Sequence, residues 1–170
     1  NYESQKNVLN PVIGEYDDPN NQRQGIFTLP LSKEGNAIIY GIGGSGKEML
    51  ITSMIYSIIT NHTSEEVNFY LLDFGAETLR IFNKFPHVGS IITIEDQDFL
   101  LDTLIMIDAE CGRRQELFLD YSGSFINYNK ESGSKVPLLV LVINYYEIFA
   151  ENNPKLVEVL NTLMRDGEKY

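Results

Sequence analysis

The stretch Gly41-Ile42-Gly43-Gly44-Ser45-Gly46-Lys47-Glu48 satisfies the phosphate-loop pattern G-x-x-x-x-G-K-S/T at every position but the last. The pattern needs glycines so that backbone N–H groups can wrap a phosphate, a lysine to balance its charge, and a hydroxyl for Mg²⁺. Here Glu48 stands where the hydroxyl belongs. Just upstream, Asn36-Ala37-Ile38-Ile39-Tyr40 reads as a short buried strand; downstream, Lys47 to Asn61 reads as a helix. Strand, loop and helix in that order separate a working phosphate loop from a chance match. Gly41, Gly43, Gly44, Ser45, Gly46, Lys47 and Glu48 are therefore the candidate nucleotide contacts.

Further out, the chain alternates strands with helices. Residues 1–24 form a polar lead-in expected to pack on the domain, with turns at Asn10-Pro11 and Asp17-Asp18-Pro19-Asn20. The domain proper is expected over 25–170, beginning with a strand at Gly25–Leu31 and a turn at Ser32–Gly35. The helix after the loop carries Met49, Leu50, Ile51, Met54, Ile55, Ile58 and Ile59, a distribution that predicts burial on more than one side. Val67–Leu72 is a second strand ending at Asp73, and Ser90–Ile94 a third. A helix follows over Gln97–Tyr121, then a polar loop at Lys130–Lys135. Pro137–Ile143 is an unbroken apolar run, the pattern of a central parallel strand, and Pro154 opens a last helix. This order predicts an α/β fold with a parallel sheet. The chain stops directly after a helix, where a further strand is expected, which suggests truncation at the C-terminal end.

A phosphate-loop ATPase also needs an apolar strand ending in Asp, which holds the Mg²⁺ shell, often followed by Glu. The run Leu138–Ile143 ends instead in Asn144-Tyr145. Two positions that serve the metal, Glu48 and Asn144, have thus both lost their usual chemistry, so a defective Mg²⁺ site is expected, with no catalytic or metal-ligating residue assigned. A carboxylate about 4 Å from a phosphate charge costs roughly 4 kcal/mol at an effective dielectric of about 20, about a thousandfold in affinity. Absent or very slow hydrolysis is expected, with weak ATP binding through Lys47 and the loop amides. Asp73 has two readings: it faces the nucleotide from its strand end, or it forms a turn.

Composition narrows the function classes. Thirteen Lys+Arg against 24 Asp+Glu give a net charge of −11, which argues against a large nucleic-acid footprint. A single cysteine, Cys111, allows no internal disulfide and reads as a small buried residue. No stretch reaches the roughly 18 apolar residues of a membrane span.

Several segments together resemble the FtsK/SpoIIIE-type ATPases, and within them the EssC/EccC family of type VII (VIIb) secretion ATPases. They are Ile13-Gly14 with Asp17-Asp18-Pro19 and Gln24, the loop Gly41–Lys47, and Phe69–Gly75 followed by Phe85-Pro86-His87-Val88-Gly89. Arg113–Phe118 and Asn127-Tyr128-Asn129 complete the set. The resemblance implies a RecA-like P-loop NTPase fold and a cytoplasmic domain of a membrane-anchored protein. As partners it implies other ATPase domains of the same polypeptide, membrane components of the secretion system, a hexamer in the full assembly, and small helical exported substrates of the Trp-x-Gly class. It also implies that a degenerate module of this kind is C-terminal in the tandem and serves substrate recognition or regulation. Two alternatives stay open: a competent ATPase in which Glu48 ligates Mg²⁺, and a DNA translocase motor. Of the remaining residues, Arg113 and Arg114 read as a solvated helix face, and Tyr145, Tyr146 and Phe149 as core.

Overall fold

The computed structural model describes residues 7–167, so the first six residues of the lead-in and the last three of the chain lie outside the described residues. The chain divides into two compact units, Asn1–Ser64 and Glu65–Tyr170.

In the first unit, β1 (Val12–Asp18) and β2 (Arg23–Thr28) form an antiparallel hairpin, pairing from Val12 with Thr28 to Asp18 with Arg23. Asp18 closes the turn, accepting from the backbone and side-chain nitrogens of Asn21. β1 lies inside what the sequence presents as a polar lead-in. Its exposed positions are Gly14, Glu15, Tyr16 and Asp17, a mix with little strand signature, so the segment resembles a loop until its partner supplies the ladder. A single helical turn, α1 (Leu31–Glu34), replaces the expected turn and closes on Gly35. The helix α2 (Lys47–Asn61) follows the glycine loop as expected. It buries one stripe, Ile55, Ile58 and Ile59, whereas Met49 and Tyr56 are exposed; burial on several sides does not occur. The backbone N–H of Val12 donates to Ser57 Oγ at 2.9 Å, tying the hairpin to α2.

The expected buried strand at Asn36–Tyr40 is not formed. Its backbone is irregular, and Ile38 and Tyr40 are 88% and 94% exposed. A β-strand exists only through a ladder, and among the described residues no strand pairs with this run. The apolar run alone cannot create one.

The second unit holds a fully parallel sheet in the order β4 (Val88–Thr93), β3 (Val67–Asp73), β5 (Leu138–Asn144). β3 is the central strand and buries side chains on both faces, which is why it reads as a near-continuous apolar run. A 3₁₀ turn at Thr78–Phe82 leads from β3 towards β4. The 22-residue helix α3 (Gln97–Phe118) then crosses back, and a short helix α4 (Phe125–Glu131), not expected from the sequence, is capped by Ser124 Oγ accepting from Asn127 N–H. After β5 come α5 (Tyr146–Asn152) and α6 (Pro154–Asp166), with Pro154 at the start of α6, where a missing N–H is harmless. The core joins Leu72 and Ile92 of the sheet to Leu100, Leu104 and Ile107 of α3, Phe149 of α5, and Leu160 and Leu163 of α6. No helix among the described residues is long and apolar enough to cross a membrane.

Candidate functional site

The phosphate-loop residues lie together in the first unit. Gly44 and Gly46 have φ of 74° and 88°, left-handed conformations that a side chain would strain. Gly46 is also the residue from which α2 starts: Leu50 N–H donates to its carbonyl at 3.0 Å, and Ser45 N–H closes a turn on Ile42 at 3.2 Å. Alternation of left- and right-handed residues before a helix is the geometry in which successive amides converge on an anion. The Lys47 ammonium folds back onto the loop, donating to the carbonyls of Gly41 and, at 3.0 Å, Ile42. Glu48 sits in the first turn of α2, half-buried, with Oε1 enclosed and without a hydrogen-bond partner among the described residues. An acidic side chain there suits the helix dipole, but an unpartnered buried oxygen is costly.

The other two predicted residues meet in the second unit. Parallel pairing of β3 with β5 sets Asp73 beside Asn144, and Asn144 Nδ2 donates to Asp73 Oδ1 at 2.9 Å. Asp73 is fully enclosed and Asn144 is 4% exposed. The remaining capacity of Asp73 goes to backbone: Gly75 N–H reaches Oδ1 at 3.3 Å and Leu79 N–H reaches Oδ2 at 2.9 Å. The carboxylate thus organises the turn after β3, and of its two sequence readings the turn-forming one describes these contacts. Next to the pair, Tyr145 takes φ 61°, ψ 57°, and its ring lies against Gly75, where any Cβ would collide with it. A bulky residue in the left-handed region is strained by about 1–3 kcal/mol and persists only where its surroundings hold it.

Of the three aromatic residues read as core, only Phe149 is buried, packed on Phe74 with ring centroids 5.6 Å apart. Tyr145 and Tyr146 remain 40% and 42% exposed at the strand end, Tyr145 with its ring against Gly75 and Tyr146 on the edge of the core with its ring centroid 5.9 Å from that of Phe149.

The arginine pair departs from its sequence reading. Arg113 is exposed, but Arg114 is only 1% exposed on the inner side of α3. Glu110 binds both. Arg113 donates to it through Nε at 2.6 Å and Nη2 at 2.7 Å, and Arg114 through Nε at 2.8 Å. The Arg113 hydrogen bonds, helped by the bond and charge of Arg114 and opposed by burial, hold the Glu110 carboxyl down at about 2. The signal was present in the helical period: Ile107, Arg114 and Phe118 share the stripe that starts at Leu100, with Glu110 one turn before Arg114. Half-buried Cys111 has its thiol pushed up by burial.

This arrangement has known relatives. The FtsK/SpoIIIE family pattern matches residues 5–166. The chain is 31% identical over 99% of its length to the ESX-5 secretion system protein EccC5 of Mycobacterium marinum, and 27% identical over 92% to the type VII secretion system protein EssC of Staphylococcus aureus. It spans only 13% and 11% of those two proteins. A solved structure of Thermomonospora curvata EccC, comprising its ATPases 2 and 3 in complex with a signal sequence peptide, superposes with a TM-score of 0.86. That match is at 29% identity and covers 95% of this chain and 31% of that one.

Proposed function

The chain belongs to the FtsK/SpoIIIE family and is homologous to the ATPase domains of type VII secretion proteins, and on that premise we propose that it is a module with a degenerate nucleotide site, recognising exported substrate or regulating export. The observation that carries this reading is the hydrogen bond from Asn144 Nδ2 to Asp73 Oδ1. An amide stands at the position the metal shell requires, its nitrogen donates to Asp73, and both oxygens of that carboxylate are engaged.

The loop and the strand-end pair, each taken by itself, differ in their fit to a nucleotide and its metal. Gly41, Gly43, Gly44, Ser45, Gly46 and Lys47 would hold phosphate oxygens, since left-handed glycines before a helix suit an anion-binding backbone and Lys47 supplies charge. Mg²⁺ demands near-octahedral oxygen ligation, supplied in such sites by a hydroxyl, a carboxylate and water. Glu48 offers a carboxylate where phosphate charge would sit, and Asn144 offers no negative charge. These residues do not fit a catalytic Mg²⁺, so no hydrolytic step is assigned.

Substrate recognition draws on the signal sequence peptide bound by the Thermomonospora relative. In this reading the chain is a C-terminal cytoplasmic module of a membrane-anchored tandem protein, working beside further ATPase domains, in a hexamer and with membrane components of the secretion machinery. Its exported substrates are small helical proteins of the Trp-x-Gly class, and no nucleic acid is expected.

Calorimetry of ATP against the chain, with and without Mg²⁺, combined with a turnover assay, tests the proposal. Weak binding that Mg²⁺ does not improve, lost in Lys47→Ala, with turnover at the level of that variant, is the expected result. Micromolar Mg²⁺-dependent binding with steady turnover abolished by Lys47→Ala would sink it.

A further inference from the structure

The inner face of α3 has two parts. Leu100, Leu104 and Ile107 seal its first half against Leu72 and Ile92. The next inward position is Arg114, a charged group among the buried residues of this helix. Here the apolar seal stops, and a groove of about 400 Å³ opens between α3 and the beginnings of β3 and β5, in the size range of ligand sites. Tyr70 and Leu139 of the strands and Met106 and Ala109 of the helix line its apolar part. Glu110, Arg113 and Arg114 line its polar part.

Charge decides what the groove would take. Two guanidinium groups and one carboxylate line it, an excess of one positive charge, on a chain whose net charge is −11. Bonds to Glu110 hold the Arg113 guanidinium in place, so it is oriented before any ligand arrives. An oriented arginine beside apolar surface is suited to a carboxylate carried next to an apolar side chain. The groove lies at the beginnings of the strands, whereas Asp73 and Asn144 are at their ends, so it is separate from the strand-end pair.

We propose that this groove is the substrate-recognition site of the chain, binding an acidic peptide that sets a carboxylate against Arg113 and an apolar side chain against Met106, Ala109, Tyr70 and Leu139. The inference rests on the recognition reading above and adds the place and the chemistry. Charge pairing at the rim makes binding weaken with salt.

The probe is a phage-displayed library of random 12-residue peptides, selected on the 170-residue chain and resynthesised with a fluorophore for anisotropy. Selected peptides are expected to be rich in Asp or Glu flanked by Leu, Ile, Phe or Met. Their affinity is expected to fall at least tenfold in Arg113→Gln and in Ala109→Phe, which fills the groove while keeping all three charges. Lys155→Gln, an equal charge change on α6, should alter affinity less than twofold. Circular dichroism melting accompanies each variant, so that loss of binding is scored only on folded protein. Acidic peptides that bind Arg113→Gln and Ala109→Phe at wild-type affinity would overturn the site while leaving the recognition reading intact. Selection of basic or uncharged binders would overturn the chemistry, and a library that yields no binder would overturn both.

Discussion

The glycine loop and the strand ends carry the two halves of one sequence signature, yet they are built in opposite ways. The loop from Gly41 to Gly46 is exposed throughout, and among the described residues its lysine is engaged only by the loop's own carbonyls. The strand-end pair is enclosed: Asp73 accepts three hydrogen bonds, one from Asn144 and two from backbone. An exposed polar group exchanges its partners for water at little cost, whereas a buried one must keep them. An anion binding at the loop would therefore leave the fold undisturbed. The strand-end pair cannot change its chemistry without disturbing its own unit. Asn144 stands where a metal-side Asp is expected, and its amide satisfies the carboxylate beside it.

The strongest way to break this contrast is Asp73→Ala. Removing the carboxylate leaves two buried backbone donors and the Asn144 amide without an acceptor, and the expected loss is about 3–5 kcal/mol, read as the shift of the urea unfolding midpoint. A loss below 1 kcal/mol would mean that Asp73 is not structural.

Asn144→Asp sharpens the contrast through its pH dependence. Two carboxylates side by side cannot both ionise cheaply, so the folded-state pKa of one is raised above its unfolded value. The stability of this variant is therefore greatest at low pH and is lost as pH rises through the raised value. Relative to the native chain, a deficit of about 2–3 kcal/mol is expected at pH 8, shrinking towards pH 4.5. A deficit that is flat with pH would separate the two side chains. If millimolar Mg²⁺ at pH 8 restored the loss, the substitution would have rebuilt a cation site.

Glu48→Ser, on the loop, is expected to change stability least. Removing an unpartnered buried oxygen stabilises, losing an acid from the first helical turn destabilises, and the two offset to within about 0.5 kcal/mol. ATP affinity in the absence of Mg²⁺ should rise about tenfold or more as the repulsion disappears, measured by calorimetry. Unchanged affinity would show that the carboxylate points away from the phosphates.

Much of this was legible in the residues. The helix after the loop, the strands at 67–73 and 138–144, the long helix from Gln97 and the proline-started last helix all follow from periodicity and from glycine and proline placement. The strand at Asn36–Tyr40 was misread because apolarity signals burial only when a neighbour exists to bury against. The opposite error hid β1, whose Gly14, Glu15 and Asp17 are poor strand formers and mask a strand that its hairpin partner maintains. Arg114 could have been placed by extending the apolar stripe of α3 one more heptad, but a charged residue on that stripe is easily taken for solvent.

From local order alone, then, come the phosphate-binding loop, its missing hydroxyl and the amide at the end of β5, since each is a statement about neighbouring residues. Tertiary structure decided what those residues do. Asp73 and Asn144 are 71 positions apart, and only the parallel register of β3 and β5 sets them in hydrogen-bond contact. The same holds for the Glu110–Arg113–Arg114 cluster, whose charges become a groove only where strands meet the helix. Periodicity reports which side of an element is apolar; what lies opposite that side depends on pairing across the chain, which no local pattern encodes.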